Sequence, residues 1–461
     1  MHSRAPFPSG PLVLCAVQFV DVLGVTSATT ALPAIAVELS AGSIAVIAIA
    51  AAYATFFGGF LVVGARFGDR WGHRRVLVIG LVLFALVAVV GATAAGPVQV
   101  AGARALQGFA AAISIPSALR LLLHLTPEPR TRTSAIAAWS AAGAAAGAAG
   151  FLLGGLVTDF WSWRWIFWIN LPIGLVLAAL TVRLITDTPA AQGRAAQLNL
   201  GGAALLAGSV MTLVGGAALA EYVDTRLVGA VIALLGVLIG AAFVRQQRRS
   251  ADALIPPVAF GSPGLRLGTS LSFANTATTS SSGVLLTLYL QQQGATALQA
   301  GLQLLPLSLA VIGGSATARP LSGRWSRGAA GSLGLSAVAA GNLVLVAVAP
   351  HVAGVTVAVV VIGLGLGIGS VAATAIGTDV PDSISGTASG VINTAAQLGT
   401  ALGVAVFLAV SAAASPRYDG TRIAWILIAA LAAGAAVLPA LPHVRAAGHR
   451  HDPRPQTSGE R

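Results

Sequence analysis

An all-α polytopic membrane fold with 14 transmembrane spans is predicted for this chain, and three observations carry the prediction. Fourteen apolar stretches divide the 461 residues almost from end to end, each long enough to cross a bilayer. A spanning helix needs ~20 predominantly apolar residues. Hydrophobic residues make up 56% of the chain and charged residues 9%, whereas ordinary soluble domains carry roughly 25% charge. The charges fall in short segments between the apolar runs, which leaves almost nothing for a soluble domain. Any chemistry must therefore sit in or between membrane helices.

The spans read as 12–35, 44–63, 76–95, 98–124, 134–157, 164–184, 199–220, 227–244, 267–290, 299–318, 331–349, 352–376, 386–411 and 422–441. Their orientation follows from arginine, since cytoplasmic loops collect basic residues. With the N-terminus inside, the inner segments of the first half hold Arg4, Arg66, Arg70, Arg74, Arg75, Arg130, Arg132, Arg183 and Arg194. Those further on hold Arg245, Arg248, Arg249, Arg266, Arg319, Arg324, Arg327, Arg445, Arg450, Arg454 and Arg461. The outer loops hold only Arg164, Arg226, Arg417 and Arg422, so both termini are expected on the cytoplasmic side. This dispersal also argues against reading the net charge of +12 as a nucleic-acid surface, because no single patch is formed.

Span one contains Cys15, a single thiol that cannot close an intrachain disulfide and reads as a small core residue. His2 and Arg4 before the apolar run, with Ala34-Ile35-Ala36 after it, imitate a secretory signal. A signal's apolar region is only about 7–15 residues; this run is longer and contains Asp21, so an uncleaved span is expected. Of 14 acidic residues, Asp21 is the one near mid-bilayer, the rest lying in loops, tails or span ends. Burial favours its neutral form and a nearby cation its charged form, so a change of shape can make it take and release a proton. Span four supplies the cation: Arg104 lies inside the outer boundary by about seven residues, hence ~10 Å deep. An intramembrane charge costs at least ~2.5 kcal/mol and marks a functional candidate. A fixed Asp21–Arg104 structural pair is the alternative.

The loop after span two reads Gly64-Ala-Arg-Phe-Gly-Asp-Arg-Trp-Gly-His-Arg-Arg75. Gly68 and Gly72 permit a tight turn. Asp69 can accept hydrogen bonds from a helix N-terminus and pair with Arg in the neighbouring loop. Gly143, Gly147, Gly150, Gly154 and Gly155 on span five form a small-residue face, as do Gly363, Gly365, Gly367 and Gly369 on span twelve. Such faces let helix backbones approach closely in lipid. Trp161, Trp163, Trp165 and Trp168 fall where spans five and six meet the outer headgroups, and most read as anchors. Span nine offers Asn275, Thr276, Thr278, Thr279, Ser280, Ser281 and Ser282, and spans four, ten and thirteen add Gln107, Gln303, Asn393 and Gln397. Within lipid these groups must face protein or water; about half are expected in interhelical bonds and the rest in a cavity. The tail from His443 reads as solvated rather than as a metal site at His443, His449 and His451.

The loop from Gly64 to Arg75 resembles the conserved cytoplasmic loop between helices two and three of the major facilitator superfamily, with Ala65 in place of the leading Gly. Arg104-Ala-Leu-Gln107-Gly108 matches a second motif of that superfamily. Gly150-Phe-Leu-Leu-Gly-Gly155 looks like the antiporter motif of drug exporters, with Phe151 where a Pro usually follows the first Gly. Trp163-Arg-Trp-Ile-Phe-Trp-Ile-Asn-Leu-Pro-Ile-Gly174 is similar to a marker of the fourteen-span drug:proton antiporter family (DHA2). Tyr289-Leu-Gln291, Gln299-Ala-Gly-Leu302, Pro306, Gly386-Thr-Ala-Ser-Gly390, Asn393, Gln397-Leu-Gly399 and Gly403 fit the same family. That family's first span places Asp nine residues before the Pro of Ala31-Leu-Pro33, a position held here by Gly24. Asp21 lies nearly one helical turn earlier, on a similar face, and Thr26 fits its family position.

The resemblance implies two six-helix bundles, 1–185 and 251–442, with two inserted helices in 186–250 and a cytoplasmic tail at 443–461. It implies a bacterial plasma-membrane exporter that exchanges protons for hydrophobic or amphiphilic drugs, antibiotics or secondary metabolites. A dedicated transporter of one metabolite on the same fold is the alternative. Asp21 and Arg104 would couple the proton. Gly68, Asp69, Arg70, Gly72, Arg74 and Arg75 would latch the cytoplasmic side, and Gly150, Gly154 and Gly155 would form the antiporter motif. Thr26, Gln107, Asn275, Gln303, Asn393 and Gln397 would line a cavity between the halves near the midplane. No metal, nucleotide or covalent cofactor is expected, since no phosphate loop or His/Cys cluster occurs, and an enzyme would need a His, Asp or Glu cluster at one membrane face. The expected partners are a small-molecule substrate and protons, with no nucleic acid, on a monomer.

Overall fold

The computed structural model describes residues 9–186, 199–219, 225–250, 253, 261–324, 326–349, 351–380, 382–414 and 417–440. The tail from His443 lies outside them. The first half of the chain forms α1 (Ser9–Glu38), α2 (Ser43–Trp71), α3 (His73–Ala92), α4 (Pro97–Leu125), α5 (Pro129–Phe160), α6 (Arg164–Trp168) and α7 (Asn170–Leu184). Next come α8 (Leu200–Leu219) and α9 (Arg226–Arg249). The remainder forms α10 (Pro263–Gln292), α11 (Ala297–Arg324), α12 (Arg327–Val348), α13 (Val352–Gly377), α14 (Asp382–Ala413) and α15 (Arg417–Val437).

Among the described residues 13 helical segments are long and apolar enough to cross a membrane, α6 and α7 counting as one. The fourteenth expected span is α10, a 30-residue helix whose run of Asn, Thr and Ser lowers its hydropathy. Proline begins α4, α5 and α10, where its missing N–H would have been an orphan donor anyway. Ser262 and Ser326 cap α10 and α12 by accepting the amides of Leu265 (3.2 Å) and Ala329 (3.1 Å). The sixth span breaks at Ile169, between α6 and α7, because Pro172 cannot donate to the carbonyl four residues back.

Helices α1–α7 pack chiefly as α2 on α4, α1 on α5, and α3 on α4 and α7. In the second half α13 packs on α11 and α12, α10 on α14 and α13, and α12 on α15. Two seams join the halves, α5 against α11 and α2 against α14, while α8 pairs with α9 and leans on α2 and α14. In lipid these contacts rest on van der Waals packing and interhelical hydrogen bonds, which explains the small residues at the crossings.

The two ends of the molecule differ. At the end carrying Glu38 one apolar core runs through both halves, from Leu32, Ile47 and Phe151 to Leu285, Leu304 and Val404. At the end carrying Ser9 the halves keep separate cores. One is built from Leu14, Leu61, Leu77 and Leu121, and the others around Leu271 with Leu335 and around Leu265 with Val391. Among the described residues the halves therefore share a core at the Glu38 face and not at the Ser9 face.

Candidate functional site

Asp21 is the thirteenth residue of the 30 in α1, so its Cα stands ~18 Å along the helix from Ser9. The Tyr53 hydroxyl, from α2, donates to its Oδ1. Arg104, from α4, is 5% exposed. Its guanidinium carbon stands 4.7 Å from the centroid of the Tyr53 ring, and Nη1 donates to the Gly24 carbonyl at 3.3 Å. Among the described residues no ion pair joins Asp21 to Arg104; the phenol connects them instead.

The local sequence explains this arrangement. Gly108 follows Arg104 by one turn of α4, and a Cβ there would strike the Tyr53 carbonyl. Its absence lets α2 lie backbone to backbone on α4, and that brings the Tyr53 ring beneath the guanidinium. A cavity of about 20 Å³, lined by Asp21, Leu81, Phe84, Ser114 and Gly174 among others, adjoins the carboxylate. It is large enough for one water.

The antiporter string faces two helices. A Cβ at Gly150 would overlap Thr26 and one at Gly154 would meet Ser27 and Thr30, all on α1. A Cβ at Gly155 would meet Ala297 and Leu298 at the start of α11, in the other half. One turn further along α5, Asp159 accepts the amides of Ala297 at Oδ1 (3.0 Å) and Leu298 at Oδ2 (2.8 Å). Gln291 Nε2 donates to the Thr30 carbonyl at 2.9 Å. These contacts close the Glu38 face.

The expected latch residues stand together at the Ser9 face. Gly72 takes φ +88° between α2 and α3, a conformation that glycine adopts without steric cost. A Cβ at Gly68 would overlap the His73 ring. Asp69, in the last turn of α2, pairs with His73 at the start of α3 (Oδ1 to Nε2, 3.2 Å), and among the described residues this is its one ion pair. Arg70 lies 5.9 Å from the Trp71 ring centroid, Arg74 donates to the Val182 carbonyl, and Arg75 is exposed.

The expected cavity residues divide. Thr26 donates to the Val22 carbonyl at 3.0 Å and lies against α5. Asn275 Nδ2 donates to Leu366 O and Ser370 Oγ, both at 3.1 Å, which ties α10 to α13. The hydroxyls of Thr276 (to Ala396 O, 2.6 Å), Ser280 (with Thr400, 3.1 Å) and Ser282 (to Asn342 Oδ1, 2.6 Å) also bond between helices. Gln107 is 1% exposed with its Nε2 unpartnered, and the buried Gln303 Oε1 has no partner either. Gln397 touches α2 at Gly58, and Asn393, one turn nearer the Ser9 face, is exposed.

The tryptophans divide as well. Trp161 and Trp165 are exposed, as anchors should be, but Trp163 is 2% exposed. Its Nε1 donates to Glu38 Oε2 at 2.7 Å. Arg164 stacks on the Trp163 ring at 4.3 Å, pairs with Glu38 and donates to the Ala94 carbonyl at 3.0 Å. Sequence reasoning passed over Tyr53, His73, Asp159 and this Glu38 cluster. The Thr296-Ala-Leu-Gln299 capping box marks where α11 begins, but nothing in the sequence points from it to Asp159.

Comparison with known proteins agrees with this architecture. The family model described as Major Facilitator Superfamily matches residues 14–404. The chain is 36% identical to the puromycin resistance protein pur8 of Streptomyces alboniger over 54% of its own length and 49% of that protein's. It is 33% identical to the cephamycin export protein CmcT of Amycolatopsis lactamdurans, covering 67% of this chain and 65% of the relative. Against the lincomycin resistance protein of Streptomyces lincolnensis it is 32% identical over 95% of this chain and 92% of the relative. The chain thus spans about half to two thirds of the first two relatives and nearly all of the third. A solved structure of the peptide transporter POT shares the fold with a TM-score of 0.72 at 15% identity, covering 97% of this chain and 96% of that one. Two helical halves joined at α5–α11 and α2–α14, and a family match across most of the chain, lead to one assignment: this protein belongs to the major facilitator superfamily.

Proposed function

We propose that this protein exports hydrophobic or amphiphilic small molecules, antibiotics or secondary metabolites among them, across a bacterial plasma membrane in exchange for protons, as a fourteen-span drug:proton antiporter. The observation that carries the reading is Asp21, a carboxylate at mid-depth held by Tyr53 close to the buried Arg104. An acid so placed is a functional candidate by default in a membrane protein, proton relay being one of the roles such groups serve. The names of the relatives, two for antibiotic resistance and one for antibiotic export, support the cargo and the direction. Each is named for a single antibiotic, which favours a narrow cargo range over broad polyspecificity. With the arginine-rich Ser9 face taken as cytoplasmic, the sealed Glu38 face is outside and cargo enters from within.

The test is transport of radiolabelled puromycin and lincomycin, with a wider compound panel, by protein reconstituted in sealed vesicles under an imposed pH jump. Wild type should accumulate at least one compound and lose that accumulation with an uncoupler. Asp21→Asn should melt at the wild-type temperature and show no gradient-driven accumulation. Wild-type rates in Asp21→Asn would remove Asp21 from the mechanism.

A further inference from the structure

We propose that Tyr53 is the positioning residue of the Asp21 site: its hydroxyl holds the carboxylate and its ring seats the Arg104 guanidinium, so acid and cation are joined through the phenol and not by a direct ion pair. The inference rests on reading Asp21 as the proton carrier. Tyr53 is 3% exposed, and a phenol buried this deeply needs a hydrogen-bond partner. It has one, the Asp21 carboxylate. Arg104 is committed elsewhere, to the Gly24 carbonyl at 3.3 Å and to the face of the Tyr53 ring at 4.7 Å. A cation over an aromatic face is held by the ring quadrupole, more strongly where water is excluded. Gly108 fixes the position of the Tyr53 backbone on α4, so the ring has little freedom to leave.

The groups that face Asp21 are few. Among the described residues α2 contributes Tyr53 and α4 contributes Arg104, with Ser114 at the adjoining cavity. From α3 come Leu81 and Phe84 and from α7 Gly174, none of which titrates. A hydrogen bond to an ionised acceptor is roughly twice as strong as one between neutral groups. When Asp21 takes a proton, the Tyr53 bond therefore weakens while the stacking with Arg104 remains. Tyr53 is then the side chain that registers the proton, and it does so on α2, the helix that meets α14 of the other half at Gly58.

The experiment is infrared titration of the purified full chain in lipid nanodiscs, which needs no cargo. The protonated carboxyl band of Asp21 is assigned by its loss in Asp21→Asn. Tyr53→Phe keeps the ring and the Arg104 seat but removes the hydroxyl. It should move the midpoint of the Asp21 band to higher pH by about 0.5–1 unit, because the lost bond is stronger to the ionised than to the neutral carboxyl, with the melting temperature near wild type. A merely structural role for Tyr53 would change the melting temperature and leave the midpoint in place. A folded Tyr53→Phe with an unmoved midpoint overturns the inference. Should Tyr53→Phe fail to fold, wild type carrying isotope-labelled tyrosine decides. One tyrosine band must then shift in step with the Asp21 band and stay fixed in Asp21→Asn; no such shift overturns the inference. An Asp21 band that responds to Tyr53→Phe while Asp21→Asn still transports would defeat the transport reading and leave the local geometry standing. A wild-type spectrum without an Asp21 band that titrates overturns both.

Discussion

Two glycines six residues apart on α4 have opposite consequences. A Cβ at Gly108 would meet the Tyr53 backbone, while one at Gly102 has nothing within 4 Å. Gly108→Val must push α2 away and take Tyr53 from beneath Arg104. It is expected to cost about 1–3 kcal/mol by overpacking. Gly102→Ala lies in an exposed helical position and should raise stability by about 0.5–1 kcal/mol, since Gly loses more freedom than Ala on entering a helix. Thermal melting of the two variants in detergent checks both signs, and equal effects would show that the α2–α4 approach is not set by Gly108. At this scale the sequence speaks clearly only where a residue offends its surroundings. Asp21 and Arg104 are conspicuous because charge in an apolar run is expensive. Tyr53 belongs in an apolar helix on ordinary grounds, so nothing in the sequence marks it until its hydroxyl is seen against a carboxylate. Thr26 and Asn275 were ambiguous for a related reason. A polar group in lipid can satisfy itself on a neighbouring helix or on a cavity, and only the packing of α1 on α5 and α10 on α13 decides between them.

Between helices the distinctive device is the cap that α5 lends to α11. The first amides of a helix have no partner within it. Thr296 and Gln299 form a reciprocal capping box there (3.0 and 3.2 Å), and Asp159 takes the next two amides from across the seam. Because the acceptor belongs to one half and the donors to the other, this cap strengthens the sealed face and not merely the helix. Asp159→Ala should cost about 0.5–2 kcal/mol, the usual value of a lost N-cap. It should also speed hydrogen exchange of the peptide covering the first turn of α11 by several-fold. Unchanged exchange there would mean that the capping box alone protects those amides. The helices themselves were readable from hydropathy, because span length is imposed by the bilayer. Their ends were not: α2 runs on to Trp71 and α5 starts at Pro129, since polar turns beyond the apolar run continue the helix at no cost in lipid. Trp163 illustrates the other limit. Indole favours the headgroup level, yet Glu38 and Arg164 close over this one, and that partnership spans 125 residues of sequence.

On the scale of the whole molecule, the described residues form one shared core at the Glu38 face and separate cores at the arginine-rich Ser9 face. If that side is cytoplasmic, a residue on the face of α14 that meets α2, but nearer Ser9 than the Gly58 crossing, must be reachable from the cytoplasm alone. Asn393 meets the condition: it is exposed and stands one turn from Gln397, which touches Gly58. Cys15 is the chain's single thiol and sits buried in an apolar core, so Cys15→Ala gives a thiol-free parent without burying a hydroxyl. Asn393→Cys in that parent should react with a membrane-impermeant maleimide in inverted vesicles and be protected in right-side-out cells. The opposite pattern would place the Ser9 face outside and reverse the proposed direction of cargo entry. Reaction from both sides would show that the seal around Leu32, Phe151, Leu304 and Val404 opens as often as it closes. In that case the resting population is not the one seen here, and the caps and glycine contacts of α5 contribute less than their geometry suggests. The labelling pattern thus reports orientation and conformational preference together. It needs no knowledge of the cargo, and it can be repeated in Asp159→Ala to ask whether the α5–α11 cap is what holds the outer face shut.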